Sequence, residues 1–217
     1  MIQMIGISSA HSGAGGSTAS RNIASALASA GYRTLLVRET PVPVDVSIQE
    51  WDQKHPLLTL FGACGDAHYV RSWAERRKAS FVIIDMDPVL ESGWSGVLDD
   101  VVIVTAPDDP SLTEADRQYG TWESFKKPYL LLNKLDSEED GEKELFLEAA
   151  YPGCFLGSVL YDSSFPFEEK DISLFAGEEN GQRYRHIARQ LKDGRIRPFF
   201  AVYKKKPSLL SRVLLRA

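Results

Sequence analysis

Residues 2–18 read IQMIGISSAHSGAGGST, and the reading of this stretch decides the fold. The apolar run 2–7 has the length of a buried strand, and it gives way to small residues with glycines at 13, 15 and 16. An alanine-rich periodic stretch follows from Ser17 to about Ala30, where Gly31 stands in the place of a helix C-cap. Thr34 to Val37, TLLV, supplies the next strand. Strand, glycine loop, helix and strand make a βαβ opening.

Working outward, FVIID at 81–85, DVVIVTA at 100–106 and YLLLN at 129–133 are short and apolar without alternation, as strands covered on both faces are. A last strand is expected from Cys154 to Val159. Helices are expected at about 66–78, at 111–126 after Pro110, at 137–150 and at 178–193. The expected fold class is therefore α/β, a doubly wound, mostly parallel sheet flanked by helices. Residues 39–63, with Pro41 and Pro43, are the least readable part of the body. One domain spans 1–193; residues 194–206 read as a linker that opens a basic tail over 194–217.

Composition narrows the class. A hydrophobic fraction of 43% and a charged fraction of 25% are those of a globular chain, and no apolar run reaches the roughly 18 residues of a membrane span. The start MIQMIGISSAHSG lacks the basic flank and long apolar stretch of a signal peptide, so the body is expected in the cytoplasm. Cys64 and Cys154 belong to no CxxC pair and read as buried structural thiols. The net charge is −5, yet residues 194–217 hold seven basic residues and no acid. Setting those seven aside leaves 18 basic against 30 acidic residues, a body of −12. The asymmetry directs an anionic partner to the tail.

A glycine-rich loop at a helix N-terminus presents backbone amides and partial positive charge, which favour phosphate. Gly13, Gly15 and Gly16 suit that geometry, and Ser17 and Thr18 stand where a hydroxyl ligates magnesium. A P-loop places a lysine before the hydroxyl pair; here Gly16 stands there.

SSAHSGAGGSTAS, TLLV, FVIIDMDP, VVIVTAPDDPSLTEADR, YLLLNKLD and LGSVLYD, in this order and spacing, resemble the MinD/ParA group of deviant P-loop ATPases over about residues 1–190. The resemblance implies a core lysine at the position of Gly16 and a signature lysine, reaching across a dimer, at the position of His11. It implies an Asp-x-Asp pair where Arg38 and Thr40 stand. Of the acidic machinery it leaves Asp85, the counterpart of the aspartate that holds magnesium through water.

Phosphoryl transfer depends on positioned charge, and one such cation contributes several powers of ten in rate. Four losses make this a degenerate member, expected to be a pseudo-ATPase with no catalytic residue and no cofactor. Two alternatives stay open beside an empty loop kept for its turn. In one, the amides of Gly13 to Ser17 hold ATP or ADP with magnesium on Ser17 and Asp85, and Arg38 or His11 restores charge. In the other, an active switch takes its cation from Arg21, Arg38 or a partner.

Asn133-Lys134-Leu135-Asp136 matches the NKxD pattern by which GTPases read guanine. The family resemblance places an asparagine at this strand end beside adenine, and plain strand-end punctuation is the third reading.

In the tail, Lys204, Lys205 and Lys206 precede SLLSRVLLRA, where Leu209, Leu210, Val213 and Leu214 share one face and Arg212 sits at its edge. Such a short basic amphipathic helix suits the headgroup region of an anionic membrane or a protein partner. MinD-like proteins similarly end in a membrane-targeting helix. The whole reads as a spatial or assembly factor for a membrane-associated machine, the resemblance suggesting division, flagellum, pilus or cellulose secretion. It would sit peripherally on the inner face of the membrane, as a homo- or heterodimer. Nucleic acid is disfavoured, because the basic residues are not spread over a folded face. A DNA-partition ATPase is the remaining alternative.

Overall fold

The computed structural model describes residues 2–39, 56–63, 67–86, 94–136, 140–161 and 179–199. Seven strands form one sheet: β1 (Gln3–Ser9), β2 (Thr34–Glu39), β3 (Leu58–Ala63), β4 (Phe81–Asp85), β5 (Asp100–Thr105), β6 (Pro128–Leu135) and β7 (Phe155–Leu160). Among the described residues, five helices flank it: α1 (Gly16–Ser29), α2 (Ala67–Arg76), α3 (Asp109–Glu123), α4 (Asp140–Ala150) and α5 (Glu179–Asp193). The strand order is β3-β2-β4-β1-β5-β6-β7, and every neighbouring pair is parallel.

The central strands lack alternation because both faces are covered. On β5, Val101 and Ile103 pack toward α2, α3 and α4, while Val102 and Val104 pack toward α1 and α5. At 25 cal/mol per Å², each fully buried aliphatic side chain of this kind contributes roughly 1.5–3 kcal/mol. The alanines of α1 let α5 lie close beside it on the same face.

The sheet winds outward in both directions from β1, so the β1–α1 loop lies at the carboxyl ends of the strands where winding reverses, the usual ligand position in such folds. Gly31, at φ +92°, ends α1 as its position suggested.

One unread stretch is filled in and two expectations are corrected. The stretch that resisted reading contains a strand, β3, paired along its length with β2. Helix α3 begins at Asp109 and ends at Glu123, because Asp108 caps it by accepting from Ser111 N–H at 2.9 Å, with Pro110 in the first turn. Residues 194–199, expected as the start of a linker, are bonded to the body: Phe199 bridges Gly157 on β7, and Arg197 N–H donates to Gln190 Oε1 at 2.6 Å. Gly157 permits this approach, since at φ +117° a Cβ would lie 2.6 Å from the Phe199 carbonyl oxygen.

Thr40, Cys64 and the tail residues Lys204, Lys205, Lys206, Leu209, Leu210, Arg212, Val213 and Leu214 lie outside the described residues. Cys154 is a buried free thiol.

Candidate functional site

The β1–α1 loop brings most of the candidate residues together. Gly13 and Gly15 adopt φ of +87° and +98°, and Gly15 is the N-cap of α1 without a side-chain cap. Both conformations belong to glycine, as a phosphate loop requires.

The loop's polar groups are already engaged. Gly16 N–H, one of the amides that would face a phosphate, donates to Ser9 Oγ at 3.1 Å. Asn133 Nδ2 donates to the Ala14 carbonyl at 2.9 Å, and Lys134 Nζ donates to the Gly13 carbonyl at 2.5 Å. From below, Gln118 Nε2 donates to the Ser9 carbonyl at 3.1 Å, and its Oε1 accepts from Ser8 Oγ at 3.1 Å.

The fit around these bonds is close. A Cβ on Gly15 would meet Asn133 Nδ2 at 2.0 Å, and a Cβ on Gly16 would meet Ser9 Oγ at 2.1 Å. A lysine at 16 would force Ser9 to turn away and give up its bond to the Gly16 amide. The sequence signal was the glycine at 16; that a serine seven residues earlier fills the space is a tertiary fact.

His11 is exposed and does not turn back to the loop's amides. Its Nε2 meets Ser111 Oγ and lies 3.8 Å from Asp108, while Nδ1 lies 2.5 Å from the Ser12 carbonyl. Burial works to raise the Asp108 carboxyl, but hydrogen bonds from Ser111 and the proximity of His11 outweigh it and hold the group below its ordinary value. This position serves the start of α3.

Asp85 ends β4 with its side chain 11% exposed. Burial raises its carboxyl above the ordinary range, opposed by the Ser17 hydroxyl, Arg38, the Ser20 hydroxyl at 3.2 Å and the charge of Arg21. Arg38 is its register partner on β2, with Nε 3.8 Å from Asp85 Oδ2. Thus Ser17 and Asp85 do come together, with two arginines supplying positive charge. Thr18, one residue on, is tied in through its carbonyl, which accepts from Asn22 Nδ2 at 2.9 Å.

Set against a magnesium nucleotide, the arrangement falls short at three points. A side chain at position 16 would have to displace Ser9 Oγ, the Gly16 amide already donates to Ser9, and the aspartate that would hold magnesium faces a guanidinium. Asn133 is buried and its amide nitrogen clamps the loop, so the strand-end asparagine acts on the loop's backbone in this arrangement.

Lys134 is the residue whose role the sequence concealed. Its φ of +64° is unusual for a side-chain-bearing residue, and it lays an ammonium against the loop from β6. The asparagine–lysine pair therefore grips two successive carbonyls of the glycine loop. The NKxD spelling drew attention to these residues for another reason.

No family model matches the chain, and no curated protein matches it in sequence. Solved structures do. The MinD cell division protein of Aquifex aeolicus superposes with a TM-score of 0.75 at 20% identity, over 91% of this chain and 100% of that one. A MinC:MinD cell division protein complex from Aquifex aeolicus gives 0.71 at 19% identity, over 91% and 98%. A plasmid partition protein from Borrelia burgdorferi bound to AMPPNP gives 0.66 at 13% identity, over 89% and 99%. The chain has the MinD/ParA-like P-loop ATPase fold.

Proposed function

We propose that this protein is a non-hydrolysing MinD/ParA-like spatial or assembly factor of a membrane-associated machine, in which the nucleotide cleft has become part of the scaffold. The observation that carries the reading is the pair of substitutions made by the chain itself. Ser9 occupies the amide and the space at Gly16, and Arg38 supplies the cation at Asp85. A triphosphate would have to displace Ser9, and magnesium would have to compete with a guanidinium already in place. Loss of one positioned charge costs orders of magnitude in phosphoryl transfer, and here the lysine positions hold glycine and histidine.

Partner binding then rests on surfaces that do not depend on turnover. Support for a protein partner comes from the MinC:MinD neighbour, and dimerisation, as homo- or heterodimer, is part of the proposal. Among the described residues no helix is long and apolar enough to cross a membrane. A peripheral position would come from Lys204, Lys205, Lys206 and Arg212 on anionic lipid, with Leu209, Leu210, Val213 and Leu214 entering the headgroup region.

A second reading has its own observation. Lys134 and Arg38 place two cations at the loop and at Asp85, and neighbours of this fold are solved with AMPPNP and with Mg-ADP. Those cations would let the loop retain ATP or ADP without cleaving it.

The test is phosphate release from magnesium ATP by the full chain, alone and with vesicles containing phosphatidylglycerol. The proposal expects no release above the protein-free rate in either case. Turnover that is abolished by Asp85→Asn would overturn it.

A further inference from the structure

The segment whose Phe199 bridges β7 makes a second site with the end of α5. A cavity of about 290 Å³ is lined by His186, Arg189, Gln190, Asp193, Arg195 and Arg197. Arg189 lies on α5; Arg195 and Arg197 belong to the segment after it, and all three are exposed. The backbone that presents them is fixed. Arg197 N–H donates to Gln190 Oε1, His186 Nε2 lies 2.7 Å from the Arg197 carbonyl, and the Phe199 backbone pairs with β7 at Gly157 and Ser158. Gln190 is itself anchored, donating from Nε2 to the Leu156 carbonyl at 2.8 Å.

The charge of the cavity is one-sided. Asp193 is its one acid, and Lys192 already pairs with it at 3.1 Å. The guanidinium groups of Arg189, Arg195 and Arg197 have no carboxylate partner among the described residues. Arg195 and Arg197 belong to the basic stretch 194–217, and Arg189 joins them from a body whose net charge outside that stretch is −12. They are a concentrated positive field with planar donors, the chemistry suited to phosphate oxygens.

The position adds the second argument. Lys204 follows Phe199 by five residues, a reach of at most about 18 Å even fully extended. The same stretch of sequence, 194–217, supplies two of the cavity's three arginines and the Lys204–Lys206 run.

We infer that the Arg189–Arg195–Arg197 cavity is a phosphate-anion site that receives the headgroups of anionic phospholipids and orients the body against the membrane. This rests on the membrane reading of the tail and deepens it: the tail attaches, and the cavity fixes which face of the body meets the bilayer. A phosphodiester on glycerol fits the volume and the donor set, whereas a zwitterionic headgroup brings its own cation and gains little.

The test uses the full chain and vesicles of phosphatidylcholine with and without phosphatidylglycerol, read by co-sedimentation. Three variants are compared with the native chain: Arg189→Gln/Arg195→Gln/Arg197→Gln, the corresponding triple change to Lys, and Lys204→Gln/Lys205→Gln/Lys206→Gln. Each cation near an anionic surface contributes roughly fivefold to partitioning, so the glutamine triple should weaken binding on the order of a hundredfold. The lysine triple should retain most of the binding, and both should melt like the native chain because the three side chains are exposed.

Four results decide. Native binding to phosphatidylglycerol vesicles, lost in the glutamine triple and kept in the lysine triple, supports the inference. Glutamine-triple binding equal to the native chain, while the Lys204–Lys206 variant fails, overturns the inference and leaves the tail reading intact. Failure of the native chain to bind any vesicle overturns both. Suppression of native binding by millimolar inorganic phosphate at constant ionic strength supports the inference, because the free anion then competes with the headgroup for the same arginines.

Discussion

Arg38 and Asp85 stand opposite each other on adjacent parallel strands, Nε to Oδ2 3.8 Å, at the carboxyl edge of the sheet beneath the glycine loop. The aspartate is nearly enclosed, whereas half of the arginine side chain meets solvent. The pair is thus asymmetric: losing the cation strands a buried charge, but losing the acid releases an exposed one. Arg38→Ala is expected to destabilise the fold by about 1–2 kcal/mol, below the 3–5 of a fully buried pair because water screens the arginine. Arg38→Ala/Asp85→Asn should recover most of that loss in urea denaturation. A double variant no better than Arg38→Ala would show that the arginine acts through packing instead.

The two site aspartates respond to acid in opposite senses. Asp85 is raised in the folded state by burial, so its ionisation costs stability as pH climbs from the unfolded value, roughly 3.9, through the folded one. Asp108 is lowered, so its contribution is complete above the unfolded value and fades as pH falls through the folded one. Asp85→Asn should therefore gain on the native protein as pH rises above about 4, while the deficit of Asp108→Asn should be constant above about pH 4 and shrink as pH falls below it. Denaturation midpoints on both sides of about pH 4 check both signs.

Gly15 and Asn133 form the closest contact of the loop. Gly15→Ala is expected to cost about 2–3 kcal/mol, from the left-handed φ and from a Cβ placed 2.0 Å from Asn133 Nδ2. Asn133→Ala removes the collision but not the backbone strain. The double variant should then recover only part of the loss in thermal melting, and complete recovery would contradict a strained φ.

Much of the fold was legible. Unbroken apolar runs such as DVVIVT mark strands covered on both faces, and alanine periodicity with Gly31 marks α1, because these signals are local. β3 was hidden because Thr59 and Gly62 interrupt the apolar pattern of an edge strand whose pairing with β2 is long-range. That Gly16 and His11 are not lysines is plain in the sequence. The contacts around them were not legible: Ser9, Gln118 and Lys134 act through contacts that span 7, 109 and 121 residues of sequence. The bridge from Phe199 to β7 depends equally on Gly157, a glycine with no sequence feature to distinguish it from a strand interior.

That pairing gives a fourth prediction. Gly157→Ala would place a Cβ 2.6–2.7 Å from Phe199 backbone atoms, so residues 195–199 should leave β7 while the sheet persists. Hydrogen exchange should show Ser158 N–H, which donates to the Phe199 carbonyl at 3.3 Å, losing protection along with the segment. Unchanged protection would contradict the assigned pairing.

The central claim is that the glycine loop is satisfied from within, by Ser9, Asn133 and Lys134, with Arg38 at Asp85. Calorimetric titration of the full chain with ATP and magnesium, with phosphate release followed in the same samples, tests it most directly. A parallel Ser9→Gly/Gly16→Lys variant frees the amide and restores a lysine. The account predicts no binding heat and no turnover for the native chain, and measurable binding once the space at 16 is opened. Micromolar binding with hydrolysis by the native chain would contradict it.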